Sequence, residues 1–109
     1  MTQSQKPLAD IRVVELGTLI AGPFCSRIMA EFGAEVVKVE APDGGDPLRK
    51  WRKLYEGTSL WWYVQARNKK SVTANLKHPD GVAFVRKLIA GADILVENFR
   101  PGVLEKLGL

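Results

Sequence analysis

Residues 11–40, IRVVELGTLIAGPFCSRIMAEFGAEVVKVE, decide the fold. Ile11 to Leu16 is β-branched and apolar and reads as a buried strand. Gly22 and Pro23 then open a stretch with Phe24, Ile28, Met29 and Phe32 at helical spacing. Pro23 suits a first helical turn and Gly33 a stop. Glu35 to Glu40 (EVVKVE) is a second strand. The unit is strand, turn, helix, strand.

The same alternation continues outward. Ala41 to Thr58 is a long connection rich in Gly, Pro and charge, and Ser59 to Val64 (SLWWYV) reads as a short helix. Ser71 to Leu76 reads as a third strand. Pro79 starts a helix with Val82, Val85, Leu88 and Ile89 as its apolar stripe and Gly91 after its end. Ile94 to Val96 is a fourth strand, and Pro101 opens a last helix towards Leu109. Strands alternating with helices predict an α/β fold with a parallel sheet of βαβ units. Such strands need cover on both faces. Four short strands and two full helices supply only thin cover, so the expectation is the first part of a larger fold, or one that depends on a partner.

Composition narrows the function classes. The 109 residues fit one domain. With 46% apolar and 26% charged residues the chain is globular in composition, which excludes a disordered tail or a collagen. Sixteen Lys and Arg against twelve Asp and Glu leave +4, a mild charge. Without a recognised reading element it does not point to nucleic acid. A single cysteine, Cys25, excludes an internal disulfide framework, and with one histidine, His78, there is no basis for a zinc or multi-histidine metal site. No run approaches the roughly 18 apolar residues of a membrane span. The polar start, Met1 to Asp10, lacks the apolar core of a secretory leader, so a cytoplasmic protein is expected.

Ligands of parallel sheets sit beyond the carboxyl ends of the strands. Four segments lie there. GTLIAGP (Gly17 to Pro23) has two glycines spaced like a Walker A loop, but Pro23 and Phe24 stand where its Lys and Ser/Thr are needed, and it is not G-x-G-x-x-G. Glu40 stands where a ribose-binding acid would sit. The long connection carries GGDP (Gly44 to Pro47) and Arg49, Lys50, Arg52 and Lys53, either phosphate contacts or a solvated loop. Arg67, Lys69, Lys70 and Lys77 add positive charge around the third strand, where His78 has a structural or surface role. Asn98 to Gly102 follows the fourth strand as a nucleotide clamp, with Phe99 stacking on a base or filling core. Cys25 lies in the first turns of a helix without an evident base and is expected to be inert.

Taken together and in this order, these motifs resemble the family III CoA-transferases. The match runs from Pro7-Leu8 to Leu109. It includes Ala21-Gly22-Pro23, Phe32 to Glu40, Gly45-Asp46-Pro47 with Arg49, Asn68 to Ser71, Asn75-Leu76-Lys77, Pro79-Asp80-Gly81, Ala92-Asp93 and Glu97 to Gly102. The resemblance implies a Rossmann-like large domain with flanking helices that binds coenzyme A, in an interlocked homodimer. Members move CoA from an acyl-CoA to a small carboxylic acid through a carboxylate nucleophile. It also implies CoA contacts at Ile20, Ala21, Ala74, Asn75, Leu76, Lys77, Asn98, Phe99, Arg100 and Lys106. Ala41 and Ile20 replace the arginine and glutamine of formyl-CoA transferase, and Lys106 replaces an arginine, keeping charge without the bidentate fork.

In longer members the nucleophilic aspartate lies past the position matching Leu109, and none of Asp10, Asp43, Asp46, Asp80 or Asp93 takes its place. Residues 1–109 are therefore expected to be the N-terminal CoA-binding part of the large domain, inactive alone, with the small domain and C-terminal part absent. Two alternatives stand beside this. One is the α-methylacyl-CoA racemase branch of the family, which carries a shorter connection than Gly44 to Arg67. The other is a non-catalytic CoA-binding or assembly fragment.

Overall fold

The computed structural model describes residues 6–109; positions 1–5, the opening of the Met1–Asp10 stretch, lie outside the described residues. Along the chain come β1 (Arg12–Glu15), α1 (Ala21–Glu31), β2 (Glu35–Glu40), a 3-10 turn (Pro47–Lys50), β3 (Leu54–Tyr55), β4 (Thr58–Ser59), α2 (Leu60–Gln65), β5 (Lys69–Thr73), α3 (Pro79–Ala90), β6 (Ile94–Val96) and α4 (Val103–Leu107). Among the described residues, no helix is long and apolar enough to cross a membrane.

Four strands pair in the order β5-β2-β1-β6, and every pairing is parallel. The chain steps from β1 through β2 to β5, then returns through α3 to the far side of β1 for β6. That reversal is a topological switch point, where open α/β sheets bind ligands. The sheet is the parallel one that the alternation predicts, and with its flanking helices it is the Rossmann-like architecture that the resemblance implies.

Alternate side chains of β1 enter two cores, as a strand covered on both faces requires. Val13 packs with Val36, Ala30 and Ala34, beneath α1. Val14 and Leu16 pack with Val39, Ala74 and Val85, beneath α3, with Leu104 of α4 against them. α1 ends as its glycine foretells. Gly33 adopts φ +106, its N–H donates to the Ala30 carbonyl, and the Ala34 N–H donates to that of Met29, closing a Schellman turn.

Three expectations are corrected. The stripe Phe24, Ile28 and Phe32 is exposed, and only Met29 of that set packs on the core. α1 instead buries Gly22, Pro23, Ser26 and Ala30, small residues that let it lie close to the sheet. Helical spacing identified the helix but not its buried side. The third strand runs from Lys69 to Thr73 rather than from Ser71 to Leu76. Its two lysines pair in register with Val36 and Val37, and Lys69 finds a buried carboxylate. Finally, the long connection ends in the short antiparallel β3–β4 pair, which takes Ser59, so the helix read from Ser59 to Val64 runs from Leu60 to Gln65 with Ser59 as its cap.

Candidate functional site

The turn after β1 is built around Asn98. The Asn98 Oδ1 accepts from the Thr18 N–H at 2.9 Å, and its Nδ2 donates to the Thr18 carbonyl at 2.9 Å. A Cβ on Gly17 would stand 2.7 Å from Asn98 Oδ1, and one on Gly22 would stand 3.1 Å from the Gly17 Cα. The two glycines with Walker-like spacing thus admit an asparagine amide and a close helix. Gly17→Ala is expected to break the Asn98–Thr18 pair and cost about 1–3 kcal/mol, read as a loss in urea-denaturation stability.

Beneath that turn lies a buried ionic network. The Lys38 ammonium donates to Glu15 Oε2 at 2.5 Å and to the Gly17 carbonyl at 3.0 Å, and pairs with Asp46 Oδ2 at 2.9 Å. Lys69 donates to Glu15 Oε1 at 2.7 Å and to the Pro23 carbonyl at 2.8 Å. All four charged side chains are at most 2% exposed. Burial pushes the Lys69 pKa below the ordinary lysine value, with Glu15 opposing the shift. Two carboxylates meet two ammonium groups, so the cluster is neutral and its hydrogen bonds are made in low dielectric.

Glu40 forms a second cluster at the end of β2. Its Oε1 accepts from the Asp46 N–H and Arg49 Nε, each at 2.8 Å, and its Oε2 accepts from Arg49 at 2.8 Å and from the Ser71 hydroxyl. Arg49 also lies over the Trp62 ring, 3.9 Å from its centroid. Glu40 is therefore engaged by protein groups rather than open to a ribose, and Arg49 is tied to Glu40 rather than free for phosphate. Burial pulls the Glu40 pKa upward, but Arg49, Ser71 and the Asp46 amide outweigh it and bring it from 4.5 to about 2.

A depressed carboxylate stabilises the fold above its unfolded pKa, and that contribution is lost as pH falls through the folded one. The Glu40 contribution, on the order of 3 kcal/mol, is thus present at pH 5 and lost towards pH 2. In denaturation series, the stability gap between wild type and Glu40→Gln is expected to narrow over that window; a constant gap would contradict it.

A cleft of about 520 Å³ opens at the carboxyl edge of the sheet. Leu16 to Thr18 form one wall, Val39 to Asp43 with Gly45 to Pro47 another, and Ala74 to Lys77 with Phe99 the rest. Beside it, a shallow groove of about 530 Å³ between α3 and α4 shares Leu76 and Lys77 and carries Arg86 and Lys106. Of the residues singled out from sequence, Ala74, Asn75, Leu76, Lys77 and Phe99 line the cleft, and Lys106 lines the groove. Ile20 and Ala21 stand at the start of α1, outside both lining sets. Arg100 is exposed just before α4, and the Asn98 amide faces Thr18. His78 caps α3, its Nδ1 accepting from the Asp80 N–H. Cys25 is exposed on α1.

Sequence reasoning passed over Glu15 and Lys38 as functional residues, and read Lys69 as positive charge near the sheet edge rather than as a member of the buried ionic network. The one available signal was a charge at an inward position of an otherwise apolar strand, as in RVVE and EVVKVE.

A parallel sheet with a cleft beside its switch point defines an open α/β domain, the class in which ligands sit outside the carboxyl ends of the strands. Residues 8–109 match the profile of CoA-transferase family III, and the chain belongs to that family. It is 56% identical over 105 residues to the succinyl-CoA–D-citramalate CoA-transferase of Chloroflexus aurantiacus, covering 95% of this chain and 26% of that protein. It is 42% identical over 105 residues to the human succinyl-CoA:glutarate CoA-transferase, covering 95% and 24%. The crystal structure of a CAIB/BAIF family protein from Brucella suis superposes with a TM-score of 0.87 at 38% identity, over 95% of this chain and 29% of that one. The chain spans about a quarter of the length of these curated relatives.

Proposed function

We propose that this chain forms the CoA-carrier site of an enzyme that moves CoA from succinyl-CoA to a second dicarboxylic acid. The observation that carries this reading is the cleft at the carboxyl edge, with Lys77 between it and the groove holding Arg86 and Lys106. The pantetheine arm fits the apolar side, against Leu16, Val39, Ala74, Leu76 and Phe99. The phosphates meet Lys77 and Lys106 in charge-assisted pairs. Ile20 and Ala21 at the start of α1 and Arg100 before α4 are further CoA contacts in this reading, while the Asn98 amide holds Thr18 in the β1–α1 turn. Both named relatives use succinyl-CoA with an acid, citramalate or glutarate, that carries two carboxylates, which supports the substrate class.

In transfer, an enzyme carboxylate attacks the thioester carbonyl, forming a mixed anhydride and expelling CoA as the thiolate. The thiolate attacks the enzyme's carbonyl of that anhydride, releasing succinate and leaving an enzyme thioester. The acceptor carboxylate then attacks that thioester, and the expelled thiolate takes the acceptor acyl group, returning the enzyme carboxylate. Glu15, Glu40 and Asp46 are locked by Lys38, Lys69 and Arg49. That removes these three as nucleophiles. On this reading the nucleophile lies outside the described residues, and the enzyme is a cytoplasmic, interlocked homodimer.

Calorimetric titration with CoA tests the carrier site. Binding is expected, and Lys77→Glu weakens it about tenfold. An absence of heat at millimolar CoA overturns the reading. In a turnover assay the 109-residue chain should not exchange CoA between succinyl-CoA and citramalate; robust exchange would refute the assignment of the nucleophile.

A further inference from the structure

The β1–α1 turn takes its shape from side chains distant in sequence. Lys38 holds the Gly17 carbonyl, Asn98 the backbone N–H and carbonyl of Thr18, and Lys69 the Pro23 carbonyl. Between them Leu19 adopts φ +62, a left-handed conformation that leucine disfavours. Its N–H donates to the Asp46 carboxylate, at 3.0 Å to Oδ1 and 3.3 Å to Oδ2. Asp46 is in turn fixed by Lys38 and by the Leu48 N–H at 2.9 Å. Gly17 and Thr18 form one wall of the cleft, and Asp43, Gly45, Asp46 and Pro47 form another. Asp46 ties these walls together.

We infer that Asp46 is a positioning residue: its carboxylate holds Leu19 left-handed and so sets the spacing of the two cleft walls. A strained residue persists only where surrounding contacts over-determine it, and a charge-assisted bond to its own N–H does so directly. The inference rests on the CoA reading of the cleft. The rival role, a plain charge partner for Lys38, predicts no special relation to residue 19.

The two roles separate by rescue. CoA affinity and the thermal midpoint are measured for wild type, Asp46→Ala and Asp46→Ala/Leu19→Gly. Asp46→Ala is expected to weaken CoA about tenfold and to lower the midpoint. Glycine takes a positive φ without strain. Leu19→Gly should therefore return affinity to within about threefold of wild type, while the midpoint stays low because Lys38 still lacks one of its two carboxylates. A double variant as weak as Asp46→Ala, or an Asp46→Ala that binds like wild type, overturns the inference.

If Asp46→Ala fails to fold, Leu19→Ile decides it. That change keeps the network and places a β-branched residue at positive φ. Weakened CoA binding supports the inference and unchanged binding overturns it. If wild type itself does not bind CoA, the carrier-site reading falls, and amide exchange at Leu19 decides the rest. Exchange about tenfold faster in Asp46→Ala than in wild type supports the positioning role, and equal exchange overturns it.

Discussion

Replacing Lys38 by methionine is expected to destabilise the chain by about 3–5 kcal/mol, the usual consequence of stripping one partner from a buried ion pair. Methionine fills the space of the lysine stem, so the loss isolates the charge. It removes the ammonium that Glu15, Asp46 and the Gly17 carbonyl share. Glu15 keeps Lys69, but Asp46 is left buried with two backbone N–H donors and no cation. Against a whole-domain stability of about 5–15 kcal/mol, that is enough to bring the chain near its unfolding threshold. Urea denaturation at pH 7 reads the loss directly; less than about 1 kcal/mol would place the network in the class of exposed pairs. The double variant Lys38→Met/Asp46→Asn should lose less than the sum of its parts, because it removes the carboxylate that the first change orphans.

Gly81→Ala is expected to cost about 3 kcal/mol and to weaken CoA binding by more than about tenfold. Gly81 lies in the first turn of α3, where the chain from β5 passes over it. A Cβ there would overlap the Asn75 carbonyl oxygen, with the Asn75 carbonyl carbon at 2.7 Å and its nitrogen at 3.1 Å. These are backbone atoms, so no rotamer change relieves them. The Asn75 carbonyl accepts from the His78 N–H, and its Oδ1 accepts from the Lys77 N–H. Displacing Asn75 therefore moves Ala74 to Lys77, a wall of the cleft. Gly91→Ala is the control. Its Cβ would have no neighbour nearer than Arg12 Nη1 at 3.7 Å, and the residue has φ −93. A thermal midpoint unchanged or slightly raised is expected there, against a fall of more than about 10 °C for Gly81→Ala. Equal midpoints for the two variants would dismiss the close approach at Asn75.

The readable part of the site is its main-chain geography. Segments 17–23, 74–77 and 98–100 follow β1, β5 and β6, so placing the strands places these segments on one edge. What each polar side chain does there was less readable. Asn98 looks like a ligand clamp in sequence, yet its amide satisfies Thr18, 80 residues away. Arg49 looks like a phosphate contact in a basic loop, yet Glu40 and Trp62 hold it. A side chain's partner is a tertiary property wherever several acceptors lie within reach.

Local pattern alone determined the alternation of strands and helices, the parallel sheet, the stops at Gly33 and Gly91, and the family motifs. The elements and their stops rest on neighbours within one turn or one strand, where hydrophobic period and backbone conformational limits act, and the sheet and the family motifs rest on the order of those elements along the chain. Which charges are interior was decided only by the assembled fold. Glu15 meets Lys38 across 23 residues and Lys69 across 54, and Asp46 reaches Leu19 across 27. An ionised group enters low dielectric only when an opposite charge arrives with it, and that meeting exists only once β1, β2 and β5 lie side by side.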